Sequence, residues 1–475
     1  MRVQLAFSAC LAMMMLAARA NAMNTCERVL RYLADRAADV VCLESPDLTT
    51  NNPATTPEDN SLPGLPIGAF TPRTDRATIS QGTLIDREVP GIQVQGRFAD
   101  DPTGEARFLL RFPNHWNGKL VVAGASGTRS EFNGDFAWSD FVVQKGYAYA
   151  SQNKGVLNLF ISNPDDPLAC RLNPVPPLTW VHFYDNDPEK PFTQWQQYIV
   201  RAARLARGAV HAHYRRVPHR TYAVGTSNGG YQVRRAIEEA PDLFDGGVDW
   251  EGTFVDPDGP NILIDLPPAL RNMPDYIASG HNPDSPAAQN IRAAGYPPDI
   301  IAAPLTLWER YYLSFWEVTM CQWQKRLDPT YDTYGSGPDN YDYFERREET
   351  DVAQQLAAFE NTGRVRRPLI TVAGTMDGLL PINRHARAYA AKVASHHHRH
   401  SEYRLYEVQN GNHIELYTTF YPQLELIQPH AQRAFDLLVD HVEHHEQLPP
   451  SQCIRRGCSI VENPAAQHCE VLLAP

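Results

Sequence analysis

Past residue 22 the sequence holds no apolar run near the roughly 18 residues of a membrane-spanning helix, which excludes a helical membrane bundle. It holds no dense block of lysine and arginine either. With 43 basic against 55 acidic residues and a net charge of −12, it is a poor partner for nucleic-acid phosphates. Cysteine is scarce, at eight in 475 residues, and no two are spaced as CxxC, so a zinc module is not expected. No internal repeat and no low-complexity tract is visible. At 43% hydrophobic and 10% aromatic residues the chain can offset the entropy of ordering a large core. Proline is abundant, at 38, which points to long ordered loops and insertions.

What the N-terminus does contain reads as an export signal. Arg2 supplies a basic start, residues 5–18 an apolar stretch, and Ala20-Asn21-Ala22 an Ala-x-Ala cleavage site. Cleavage after Ala22 removes Arg2 and Arg19 and no acid, leaving a net charge of −14. Seven cysteines would remain: Cys26, Cys42, Cys170, Cys321, Cys453, Cys458 and Cys469. In an exported protein they favour disulfides, and an odd number leaves one thiol over. Cys26 with Cys42, and a bridge among the last three, are suggested by proximity. Connectivity cannot be read from sequence.

Along the chain, residues 24–42 have apolar positions at near-helical spacing, and 45–66 read as an extended linker. Strand patterns follow at 92–95, 106–112 and 119–123, with an Asn117-Gly118 turn between the last two. Helix and strand then alternate: helix 136–145, strand 147–150, helix 193–214, strand 221–224, helix 228–239 and strand 247–250. After an interruption come strand 369–373, a helix after Pro381, strand 403–408 and a closing helix over 429–446. This alternation implies an α/β fold, a mostly parallel sheet with helices on both faces. The expected division is signal 1–22, N-terminal helix and linker 23–66, core 67–254, an aromatic-rich inserted lid 255–361, core 362–450, and a cysteine-containing tail 451–475. An acidic stretch in the lid, with Asp328, Asp332, Asp339 and Asp342, lacks EF-hand spacing. His396 to His400 reads as a solvated helix end.

One motif carries chemistry. Gly225-Thr226-Ser227-Asn228-Gly229 lies between a strand and a helix. A sharp strand-to-helix turn presents a serine hydroxyl above a sheet, and its flanking glycines relieve the crowding. Such a serine needs a base and an orienting acid, in chain order acid then histidine. Asp377 follows the strand 369–373, and His413 follows the strand 403–408. Asp249 or Glu251 is the alternative acid. The Asn228 N–H and an N–H from the loop after strand 119–123, at Gly124 or Ala125, would receive the oxyanion. This chemistry calls for no metal and no cofactor.

These residues resemble the α/β-hydrolase superfamily over roughly 85–450. Within it, residues 116–124, residues 145–151 and the large lid look like the tannase and feruloyl esterase family. That family's pattern has a cysteine directly before the nucleophile and another after the catalytic histidine, where this sequence has Thr226 and Ile414. The run Ser227 to Gly230 is also similar to secreted 3-hydroxybutyrate oligomer hydrolases. Either resemblance implies hydrolysis of a carboxylic ester, phenolic or hydroxyacyl, by an exported serine enzyme. The expected partner is a small or oligomeric ester, with no nucleic acid or membrane. The alternatives are a serine peptidase or amidase on the same fold, and a catalytically silent binding protein. The sequence leaves the oligomeric state open.

Overall fold

Apolar runs with a period of two become the strands of a single large sheet. In this computed structural model, residues 25–55, 81–127, 130–156, 160–176, 178–182, 193–331, 340–396 and 402–474 are described. Thirteen strands lie among them: β1 Ala37–Ser45, β2 Gly91–Phe98, β3 Arg107–Pro113, β4 Lys119–Gly124, β5 Ala148–Gln152, β6 Phe160–Ser162, β7 Cys170–Arg171, β8 Trp180–His182, β9 Arg220–Thr226, β10 Gly246–Trp250, β11 Leu369–Gly374, β12 Tyr403–Val408 and β13 Gln452–Ile454. Ten form one sheet, in the order β1-β2-β3-β5-β4-β9-β10-β11-β12-β13. The pairings from β5 through β13 are parallel. Those from β1 to β5 are antiparallel. A small antiparallel sheet of β6, β8 and β7 stands apart.

Alternation divides the core in two. Leu120 and Val122 of β4 and Ala223 of β9 face one side, where Tyr198, Ile199, Ala202, Ala206 and Ala209 of the helix Thr193–Tyr214 cover them. Val121, Ala123, Tyr222 and Val224 face the other, under Ala431, Ala434, Phe435 and Leu438 of the helix Gln428–His444. Each helix buries a stripe at i, i+3, i+4 spacing, and strands buried on both faces are what a parallel sheet requires.

Between β10 and β11 the chain is helical: Ile262–Ala278, Pro286–Ala293, Leu307–Tyr311, Glu317–Leu327, Tyr343–Glu349 and Val352–Ala357. Its Trp308, Trp316, Trp323 and Leu266 share one buried cluster with Tyr231, Met376 and Ile414 of the core. Cys170 of β7 bridges to Cys321 of the helix Glu317–Leu327. Cys26–Cys42 and Cys453–Cys469 are also bonded, and Cys458 is free and exposed. No described helix is long and apolar enough to cross a membrane.

Several expectations need correction. The helix expected over 24–42 stops at Leu33, and residues 37–45 form β1. Val40 and Val41 are β-branched, and pairing with β2 gives this stretch the backbone partners a longer helix would have supplied. The described part of the expected linker, 46–55, carries no strand or α-helix and packs on the core. Leu48 is buried, and Asp47 accepts the N–H groups of Thr49 and Val89, both at 3.0 Å. The expected tail contributes β13 to the sheet. The expected helix over 136–145 is one π-type turn, Asp135–Ser139, running into a short helix, Asp140–Val143. The proposed signal 1–22, residues 56–66 of the linker, Asp332, Asp339 and residues 397–400 lie outside the described residues.

Candidate active site

β9, β10, β11 and β12 run parallel and in register, so their C-terminal ends share one edge of the core. That edge is where ligands meet open α/β sheets. Ser227 leaves β9 at φ +59°, a left-handed conformation that a serine adopts only at a cost. Two bonds hold it there: its N–H donates to Trp250 O at 2.9 Å, and its carbonyl accepts from Tyr231 N–H at 3.1 Å. The turn also needs bare glycines. A Cβ on Gly225 would stand 2.3 Å from Gly229 O, and one on Gly229 would stand 2.4 Å from Gly124 O. We expect Gly229→Ala to cost about 1–3 kcal/mol through overpacking against this backbone. Thermal unfolding measures it, and an unchanged midpoint contradicts the argument.

Asp377 lies three residues beyond β11. Its Oδ1 accepts the N–H groups of Leu379 at 2.8 Å and Leu380 at 2.7 Å. His413 lies five residues beyond β12, in a loop fixed by two asparagines. Asn410, at φ +64°, donates its side-chain amide to Gln423 O and Ala474 O, both at 2.8 Å. Asn412 accepts the Tyr311 hydroxyl at 2.8 Å and donates to Ile414 O at 3.0 Å.

The three residues meet. His413 Nδ1 is 2.7 Å from Asp377 Oδ2, and His413 Nε2 is 3.0 Å from Ser227 Oγ. All three are buried. The two alternative acids separate clearly. Asp249 pairs with Arg234 Nε at 2.5 Å and accepts from Thr371 Oγ1 and the Gly252 N–H, both at 2.7 Å. It braces the helix Asn228–Glu239 from below. Glu251 instead sends Oε2 to within 3.5 Å of His413 Nδ1. Burial and the charge of Asp377 hold its carboxyl well above the usual carboxylate range.

Glu251, Asp377 and His413 are also the group of described residues whose ligand atoms, all within 4.8 Å of one another, could meet at a metal ion. The 2.7 Å contact between Nδ1 and Oδ2 is hydrogen-bond length, and a proton fills that gap. In the insertion, Asp328 is engaged by Arg346, Thr330 and Tyr341, and Asp342 caps the helix Tyr343–Glu349.

Of the expected oxyanion donors, Asn228 opens the helix after Ser227, and its Oδ1 accepts from Thr253 Oγ1 at 2.8 Å. Gly124 ends β4 beside that helix. The Ala125 N–H is already engaged, donating to Gln232 Oε1 at 3.0 Å. Sequence reading passed over Lys154. Its buried ammonium donates to Ser126 O at 3.2 Å in the same loop and lies 4.7 Å from the centre of the Trp195 ring. A lysine beside a glycine in a loop gives no sign of burial before the fold is known.

Residues 339–471 match the family model described as 3HB-oligomer hydrolase. The matched stretch includes Asp377 and His413 and excludes Ser227. The D-(-)-3-hydroxybutyrate oligomer hydrolase of Burkholderia thailandensis is 34% identical over 114 residues, 22% of this chain and 16% of that protein. The enzyme of the same name from Burkholderia mallei is 33% identical over the same lengths. The chain thus aligns with about one sixth of the length of these relatives. An esterase from Aspergillus oryzae superposes over 90% of both chains, with TM-score 0.50 and 15% identity. At that identity the likeness carries the architecture alone: this chain has the α/β-hydrolase fold, a largely parallel sheet with helices around it.

Proposed function

We propose that this chain is an exported serine hydrolase of carboxylic esters, with 3-hydroxybutyrate oligomers as its substrate class. The observation that carries the reading is the continuous hydrogen-bonded line from Asp377 through His413 to Ser227, at 2.7 and 3.0 Å. Such a line makes a nucleophile of a weakly acidic hydroxyl. His413 Nε2 takes the Ser227 proton as Oγ attacks the ester carbonyl. Asp377 fixes the tautomer and stabilises the imidazolium. The Asn228 N–H, at the start of a helix, receives the developing oxyanion with the help of the helix dipole. Collapse releases the alcohol, protonated by His413, and leaves an acyl ester on Ser227. Water, deprotonated by His413, then releases the acid.

The substrate class rests on the likeness of residues 339–471 to 3HB-oligomer hydrolases and on the identity to the Burkholderia enzymes. Export rests on the sequence of residues 1–22 and on three disulfides, which belong to an oxidising compartment. In this reading the core is split between 67–254 and 362–450, and 255–361 forms a lid over its C-terminal edge.

The test is a substrate panel with Ser227→Ala as the blank: 3-hydroxybutyrate dimer and trimer, phenolic esters such as methyl ferulate, p-nitrophenyl butyrate, and peptide anilides. The oligomers should show the highest kcat/KM. Anilide turnover above ester turnover overturns the esterase reading. Preference for ferulate moves the substrate class to phenolic esters.

A further inference from the structure

The ring of His413 faces two carboxyl groups. Asp377 Oδ2 is 2.7 Å from Nδ1, and Glu251 Oε2 is 3.5 Å from the same nitrogen. The two acids follow neighbouring parallel strands, β10 and β11. Their surroundings are unequal. Asp377 gathers three N–H groups, from Leu379, Leu380 and His413. Glu251 gathers one backbone N–H, from Gly374 to Oε1 at 3.1 Å, with the Trp250 side chain as a further donor beside it, and its buried Oε2 has no hydrogen bond of ordinary geometry. Two bare charges cannot share so dry a space, and the acid with fewer donors keeps the proton.

Backbone geometry points the same way. Glu251 stands at φ +54°, where a non-glycine residue is strained. Its N–H donates to Val372 O at 2.9 Å, which fixes the bend at the end of β10. Strain and an unsatisfied buried oxygen both count against folding, so a packing role does not account for a glutamate here.

We propose that Glu251 is a second orienting acid for His413, standing in reserve behind Asp377 and able to take the Nδ1 hydrogen bond in its place. This rests on the Ser227–His413 reading above. In the exchange Glu251 gives its proton to water, and its carboxylate then accepts the N–H of Nδ1. No bond to carbon changes. The charged or titratable groups around it are Asp377, Glu415, His413 and the phenol of Tyr311. Burial raises the Glu251 carboxyl most, and with Asp377 made neutral the repulsion that adds to it from that side is removed, so Glu251 ionises more readily.

The experiment compares full-length wild type, Asp377→Asn, Asp377→Asn/Glu251→Gln and Asp377→Asn/Glu251→Gly in p-nitrophenyl butyrate hydrolysis from pH 5 to 10. Glycine suits the left-handed φ, so the last variant removes the carboxyl without backbone strain. Loss of the acid in a Ser-His-Asp site costs about 10⁴-fold when no other acid is at hand. Here Asp377→Asn should retain at least tenfold more kcat than either double variant, and its rate should climb through an ionisation that both doubles lack. Identical profiles for the single and double variants overturn the proposal. If Asp377→Asn does not fold, Glu251→Gln decides. Wild type should show an inflection in kcat/KM above the usual carboxylate range that Glu251→Gln lacks, and superimposable profiles overturn the proposal. Turnover by Ser227→Ala would instead sink the serine reading itself.

Discussion

Ser227→Ala is expected to lower kcat for ester hydrolysis by about 10⁴–10⁶-fold, with KM little changed. That loss corresponds to roughly 5–8 kcal/mol of transition-state stabilisation. The reason is geometric. Ser227 Oγ lies 3.0 Å from Nε2 of His413, the proposed base, and no other described hydroxyl is hydrogen-bonded to His413. Ser227 is proposed to act on the reacting carbon and not on the rest of the substrate, so the loss should fall on kcat. Labelling by a fluorophosphonate should vanish in the same variant, because the reagent captures a nucleophile activated by its histidine. Alanine fits the space, and the unfolding midpoint should stay within a few degrees of wild type. Wild-type protein that takes no label, or a variant that keeps more than a hundredth of the activity, removes Ser227 from the reaction.

The second large effect is on stability. Arg111 of β3 is completely buried, and its guanidinium meets Asp135 as a fork, at 2.7 and 2.9 Å. Its remaining donors reach Gln93 Oε1 at 2.9 Å and Ser139 Oγ at 2.7 Å. Asp135→Ala strands this cation in the core, at a cost of about 3–5 kcal/mol. Asp140 can soften the loss. Burial pushes its carboxyl up to about 7, and with Asp135 gone it ionises more readily beside Arg111. The lower end of the range is therefore expected near pH 8 and the upper end near pH 5. Replacing both partners, as Arg111→Met/Asp135→Leu, should cost less than Asp135→Ala alone, since no charge is then left unpaired. Urea unfolding of the three proteins checks the order. A single variant as stable as wild type would mean that water reaches Arg111.

The parts of the site visible in the sequence are those set by local grammar. A short strand, a Gly-x-Ser-x-Gly turn and a helix are enough to locate Ser227. Asp377 and His413 follow strands whose apolar runs are unmistakable. What stayed hidden depends on tertiary contact. β1 is an edge strand, half exposed, and its Val40 continues the spacing of Val29 and Leu33 closely enough to read as one helix. β13 is three residues long, and its place beside β12 comes from pairing that no local pattern announces. Glu251 was visible only as an alternative acid. Its left-handed backbone and its approach to His413 arise because β10 and β11 are neighbours. Asp249, two residues earlier, looks equivalent in sequence and is occupied by Arg234.

The first and last strands of the ten-stranded sheet each carry a cysteine: Cys42 in β1, bonded to Cys26, and Cys453 in β13, bonded to Cys469. The rims of a sheet are where one chain can add strands to another. Here Cys42 ties β1 to the helix Thr25–Leu33, Cys453 ties β13 to the segment that follows it, and β1 turns Val41 and Leu43 outward. Thiol chemistry therefore governs colloidal behaviour as well as folding. A chain whose cysteines are reduced is expected to have two rims freer to peel and to aggregate more readily, which light scattering with and without a thiol reductant checks.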